Sequence, residues 1–178
     1  MASITFQHVD LSAIWEPELV HHPKFRAAVD LVMQVSEFDD KSSWLVQMIY
    51  EDRYTADEEE DECLLARYEK SDRTNYSWYF ALQMCDQYAF IMGTYLELRF
   101  PDREWVIAYT PDHYFCLEKQ ESYEGVIPIY DLCGQCRIES GLGSPSTEWM
   151  SLSRRWATRH VIRSVAEHSK MVATRGYD

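Results

Sequence analysis

The sequence predicts an α+β fold, in which an antiparallel β-meander of about 4–5 strands packs against two to three helices, with a long C-terminal helix. Short β-rich runs separated by Pro, Asp and Gly turns follow one another between residues 94 and 130. Apolar residues at helical spacing lie before and after that region. The chain has 178 residues, 46% of them hydrophobic, so we predict a single compact domain over residues 1–178.

The part of the chain before the meander is predicted to contain one strand and two helices. Residues 3–9 alternate roughly between apolar and polar side chains, as a short strand does. Pro23 suits the first turn of a helix, whose apolar positions recur to about Glu37. A second helix is predicted over Tyr76–Met92, with Gly93 as the residue that ends it.

The meander itself is predicted as four strands, at residues 94–100, 105–109, 114–118 and 126–130. Ser144 and Pro145 then open the long C-terminal helix, which is predicted to run to about Val172. Four of its residues share one helical face, which we expect to be buried: Met150, Ala157, Val161 and Val165.

The chain is acidic, with 30 Asp and Glu against 17 Lys and Arg and a formal net charge of −13. This balance disfavours direct nucleic-acid binding and favours a protein partner with a basic surface. Six acids follow one another in a stretch, residues 55–62, that we predict to be an exposed acidic loop. We expect this run to bind the partner: Asp57, Glu58, Glu59, Glu60, Asp61 and Glu62.

These features favour a non-enzymatic protein-binding protein of the inhibitor, immunity or antagonist type, which presents an acidic face to a basic site. No stretch approaches the roughly 18 consecutive apolar residues of a membrane span, and the N-terminal residues lack the features of a secretory signal. The expected location is therefore cytoplasmic, with no membrane partner. We predict no cofactor, and a homo-oligomer is compatible with the sequence.

A different class of function is a small enzyme whose pocket lies between the meander and the C-terminal helix. Its candidate catalytic residues are Glu104, Asp112, His113 and Arg159. The sequence contains no Gly-x-Ser-x-Gly motif, phosphate-binding glycine loop or dinucleotide fingerprint, so it does not indicate a reaction.

Five cysteines, an odd number, favour reduced thiols over a disulfide framework. Cys133 and Cys136 form a Cys-x-x-Cys pair, but the glycines and Pro145 that follow predict no helix after it, as a redox site would require. A zinc-stabilised scaffold is a further alternative, with ligands His113, Cys116, Cys133 and Cys136. Since positions 113 and 116 of an extended strand point to opposite faces, we predict buried thiols and no metal.

Three arginines recur at helical spacing in the C-terminal helix and define a candidate anion-binding ridge: Arg155, Arg159 and Arg163, with Trp156 at its border. The alternative is that these arginines pair with carboxylates of the fold or of a second subunit, because the rest of the chain is acidic.

Overall fold

The computed structural model describes residues 3–35, 85–111, 113–139 and 145–174, which contain both helices and strands, as predicted. The elements in chain order are β1 (Ile4–His8), α1 (Pro23–Val35), α2 (Cys85–Arg99), β2 (Trp105–Thr110), β3 (His113–Glu118), β4 (Gly125–Ile129), α3 (Leu132–Glu139), α4 (Pro145–Thr158), β5 (Val161–Ser164) and α5 (Val165–Thr174). Two short 3₁₀ helices, Leu11–Ala13 and Pro17–His21, lie between β1 and α1. No helix within these ranges is long and apolar enough to cross a membrane.

The described strands form two sheets. An antiparallel sheet has three strands in the order β3–β2–β5, and β1 pairs with β4 in parallel. A single antiparallel bridge joins the sheets, in which Cys116 and Tyr130 exchange two N–H···O bonds of 3.0 and 2.8 Å. The predicted strands at 105–109, 114–118 and 126–130 are present, but the last one takes β1 as its main partner.

The strand predicted at residues 94–100 is wrong, because α2 continues through most of this stretch to Arg99. The first three turns of α2 are buried all round, so its apolar residues do not form the one-sided stripe that marks a surface helix. Gly93 lies inside the helix and does not end it. A Cβ atom there would come within 3.0 Å of Val165 Cγ2, so glycine allows α5 to approach closely.

The prediction of one long C-terminal helix is also wrong, because β5 separates α4 from α5. Val161 and Ile162 are β-branched residues that favour a strand, and β5 pairs with β2 along its whole length. Ser164 then caps α5: its hydroxyl accepts the Glu167 N–H at 3.1 Å and lies 3.2 Å from Glu167 Oε1. This Ser-x-x-Glu capping box is a start signal for a new helix.

The burial predicted for that helix is therefore right only in part. Val165 is buried, Val161 is half-buried and Ala157 is exposed. The side chain of Met150 lies outside the described residues. The helical phase cannot extend from Ala157 to Val165, because β5 follows the two-residue repeat of a strand.

Two apolar clusters pack on opposite faces of the β2–β3 hairpin. Ile107 and Cys116 face the cluster that α1, α2 and α5 complete. The other cluster is completed by β1, β4 and α4 and includes Val106, Ala108, Phe115 and Leu117 from the hairpin. The alternation along both strands thus places helices on both sides of the hairpin.

Tyr95 connects α2 to the segment that follows β1. Its hydroxyl donates to the Ile14 carbonyl and accepts the Glu16 N–H, both at 2.7 Å. Its ring is fully buried and stacks on Trp15 with centroids 4.1 Å apart. Burial raises the pKa of the Tyr95 hydroxyl to about 12, so this hydroxyl stays protonated as a donor.

We predict that Tyr95→Phe lowers the free energy of unfolding by about 1–3 kcal/mol, because the Glu16 N–H loses its acceptor and the Ile14 carbonyl keeps only the weaker bond from Arg99 Nε at 3.2 Å. Tyr109→Phe is the matched control, since the Tyr109 hydroxyl makes an exposed bond to the Pro111 carbonyl. This control should change stability by no more than about 0.5 kcal/mol. Urea unfolding curves measure the stability of both variants. Equal effects would show that the Tyr95 hydroxyl does not hold the segment after β1 against α2.

Candidate active site

A thiol, an imidazole and a carboxylate from three parts of the chain meet at the start of β3. His113 is the first residue of this strand, and its Nε2 lies 2.7 Å from Asp131 Oδ2. The interaction with Cys85 also contributes to the raised pKa of the same imidazole. His113 therefore interacts with both Asp131 and Cys85.

Asp131 is held in place by both of its neighbouring elements. It follows the Tyr130 bridge to Cys116, which brings this part of the chain beside β3. It also caps α3, since its Oδ1 accepts the Gly134 N–H at 2.9 Å. The side chain is only 2% exposed, so the carboxylate depends on these protein donors rather than on water.

Cys85 is the first described residue of α2 and is buried, with 8% of its surface exposed. The beginning of α2 is tied to α5 because His168 Nε2 lies 2.8 Å from the Asp86 carbonyl oxygen, to which it donates. The ring of His168 also contacts Tyr114, the neighbour of His113, with centroids 5.2 Å apart.

The charge state of His113 follows from its partners. Burial by itself lowers its pKa, but the charge and hydrogen bond of Asp131, together with Cys85, raise the pKa to about 10. The ring is 14% exposed and is protonated at neutral pH, so it forms an ion pair with Asp131.

A second group of polar side chains connects this site to the end of β1. Gln135, one turn after Asp131 on α3, accepts the Leu11 N–H at 2.7 Å and contacts His8 Nε2 at 3.1 Å. Its amide nitrogen donates to Asp10 at 3.2 Å. Burial lowers the pKa of His8, although the charge of Asp131 partly opposes this effect. These bonds hold α3, and with it Asp131, against the N-terminal strand.

Of the catalytic candidates drawn from the sequence, the structure places only His113 in this site. Glu104 is exposed and pairs with Lys119 at 3.2 Å, and Arg159 is exposed on the loop after α4. Asp112 lies outside the described residues. Cys85 and Asp131 were not anticipated, because no sequence spacing joins a cysteine, a histidine and an aspartate that meet only through packing.

The four residues of the zinc alternative do not form a ligand group in the described structure. His113 contacts Asp131 instead, and Cys116 Sγ donates to the Ala89 carbonyl at 3.1 Å. Burial raises the pKa of the Cys116 thiol well above its ordinary value. Cys133 is buried, and the Cys136 side chain is outside the described set. No group of three or more His, Cys, Asp and Glu side chains in the described ranges could hold a metal ion.

The expectation that no helix contains or follows the Cys-x-x-Cys pair is wrong. Cys133 and Cys136 both lie in α3, which starts soon after β4. Gly134 is unfavourable inside a helix, but Asp131 stabilises the start of α3 by accepting a backbone N–H. Cys133 is only 1% exposed, so its thiol is not presented to solvent.

The arginines of the candidate anion-binding ridge do not share one helix. Arg155 lies on α4, Arg159 follows that helix, and Arg163 lies on β5 opposite Ile107. Trp156 is buried in the core, where it packs edge-on against Phe6. The acidic run Asp57–Glu62 lies outside the described residues, so the predicted partner-binding surface stays a prediction.

The arrangement has the parts that thiol-based acyl transfer requires. In such reactions a thiol acts as the nucleophile, an imidazole moves protons and a carboxylate orients the imidazole. No family model, curated protein or solved structure matches this chain, so the function has to be inferred from this geometry.

We predict that His113 makes the stability of the protein fall as the pH rises. Its pKa increases from 6.5 to about 10 on folding, so its contribution is complete below pH 6.5 and is lost as the pH approaches 10. The loss should be on the order of 2–5 kcal/mol. Urea unfolding across this range measures it, with His113→Gln as the variant that lacks this titration. Parallel curves for the two proteins would contradict the buried ion pair.

Proposed function

We propose that the protein is a cysteine-dependent acyl-transfer enzyme. Cys85 is the nucleophile, His113 is the general acid and base, and Asp131 orients and stabilises the imidazolium. The single observation that carries this proposal is the position of the His113 ring, which lies 2.7 Å from the Asp131 carboxylate and interacts with Cys85. A nucleophile, its base and a group that orients the base are the signature of covalent acyl transfer.

The reaction begins when the Cys85 thiolate attacks the carbonyl carbon of an acyl substrate and forms a C–S bond. The electron pair moves to the carbonyl oxygen. The bond to the leaving group then breaks while His113 gives that group a proton. Water next attacks the thioester and transfers a proton to His113. The C–S bond breaks, which releases the acid and restores the ion pair.

The same residues could instead form a structural ion pair with an unreactive thiol beside it. One feature favours catalysis: Cys85 interacts with the histidine that Asp131 orients and contributes to the raised pKa of that histidine. A purely structural Asp131–His113 pair would not need a thiol beside it. Binding of a basic partner by Asp57–Glu62 is a separate prediction and is compatible with an enzyme.

We predict that p-nitrophenyl acetate transfers one acetyl group to Cys85, with rapid release of p-nitrophenolate. Cys85→Ala should abolish this transfer, and His113→Gln should slow it roughly 100- to 10,000-fold, because the base is lost. Cys116→Ala is the matched control, because the Cys116 thiol is buried and engaged with Ala89. It should retain the acylation.

Intact-mass measurement and peptide mapping locate the acetyl group, while absorbance follows the rate. Urea unfolding of each variant at pH 7 separates loss of reactivity from loss of fold. Acetylation spread over several cysteines, or a His113→Gln variant that is folded and reacts at the wild-type rate, would overturn the proposed function.

A further inference from the structure

The Gln135 side chain is held by three groups of the segment that begins at the end of β1. Its oxygen accepts the Leu11 N–H at 2.7 Å and the His8 Nε2–H at 3.1 Å. An amide oxygen has two lone pairs, so these two donors fill its capacity. Its nitrogen donates to Asp10 Oδ1 at 3.2 Å. Gln135 is only 5% exposed, so protein groups and not water fix the orientation of its amide.

The backbone of Gln135 is bonded to the residue that orients the candidate catalytic histidine. The Gln135 N–H donates to the Asp131 carbonyl at 2.9 Å and closes the first turn of α3. In the same turn, the Asp131 carboxylate accepts the Gly134 N–H and contacts His113. A displacement of Gln135 is therefore passed to Asp131 through one turn of helix, and from Asp131 to the imidazole.

The helix that carries Asp131 and Gln135 depends on bonds outside itself. α3 has only eight residues and contains Gly134, so its own backbone bonds stabilise it weakly. The Leu11 N–H that Gln135 accepts is buried, and a buried N–H requires an acceptor. The bonds from Gln135 to the segment after β1 thus fix the place of the first turn of α3.

We propose that Gln135 is a positioning residue of the candidate site, which acts through Asp131 to hold the His113 ring in its working orientation. This inference rests on the proposed acyl-transfer function, in which His113 has to face both the thiol and the leaving group. Misplacement of a catalytic group by about 1 Å can slow a reaction roughly 100-fold. Gln135 would influence the rate without contacting the substrate.

The test is Gln135→Met, which keeps the length of the side chain and removes its polar atoms. The pKa of His113, which Asp131 and Cys85 raise to about 10, is measured by NMR titration, with His113→Gln to assign the signals. The rate of Cys85 acetylation by p-nitrophenyl acetate is measured on the same protein. Gln7→Met is the matched control, since Gln7 is exposed on β1.

In Gln135→Met the pKa of His113 should fall by about one pH unit, because a displaced Asp131 carboxylate stabilises the imidazolium less well. Acetylation of Cys85 should slow by about 3- to 10-fold, the worth of one hydrogen bond. Gln7→Met should match the wild type in both measurements.

His8→Phe is a second variant, which removes one of the two donors to the Gln135 oxygen. Burial lowers the pKa of His8, so this substitution removes no charge above pH 7. It should change the pKa of His113 and the acetylation rate in the same direction as Gln135→Met, but less. If circular dichroism shows that Gln135→Met does not fold, His8→Phe decides the question.

An unchanged pKa of His113 in a folded Gln135→Met protein would overturn the proposal, because a purely structural amide would lower only the stability. An equal fall in Gln7→Met would also overturn it, since any change in β1 would then suffice. Failure of the proposed acyl-transfer function looks different. In that case wild-type Cys85 is not acetylated, while the pKa of His113 still shows whether Gln135 positions the ring.

Discussion

The Asp131 carboxylate holds two parts of the structure at once. One oxygen caps α3 through the Gly134 N–H, and the other holds the His113 ring. The group is almost completely buried, so these donors replace the water that an ionised carboxylate would otherwise need. The orientation of the His113 ring and the start of α3 therefore depend on the same carboxylate. A change at Asp131 alters the local fold and the candidate chemistry together.

Elements with a clear local pattern could be predicted from the sequence. The alternation and turns around β2, β3 and β4 give their positions correctly, as does Pro23 at the start of α1. The end of α2 could not be found this way, because Leu96, Leu98 and Phe100 alternate with Glu97 and Arg99 as the residues of a strand do. Ser164 and Glu167 are a local signal for the start of α5. The apolar residues on either side of them nevertheless recur at helical spacing, which predicts one continuous helix.

The candidate site depends on contacts that no local pattern contains. His113 was identified as a polar residue in the meander, but its partners come from α2 and from the turn after β4. The cysteines show why residue type alone does not predict which thiol belongs to the candidate site. Cys116 is buried against a backbone carbonyl with its pKa raised, whereas Cys85 lies beside the His113 imidazolium. Only the second environment fits the nucleophile of the proposed acyl transfer.

The hydrogen bond from His168 to the Asp86 carbonyl has a consequence for the order in which the protein acquires its chemistry. The two residues are separated by 82 positions, so the first turn of α2 gains this support only after α5 has been synthesised and docked. Domains fold as units, and a growing chain lengthens by only about 5–20 residues each second. We therefore expect the beginning of α2 to lack this contact for several seconds while the chain is synthesised. The surroundings of Cys85 would then be completed late, when most of the chain is already folded.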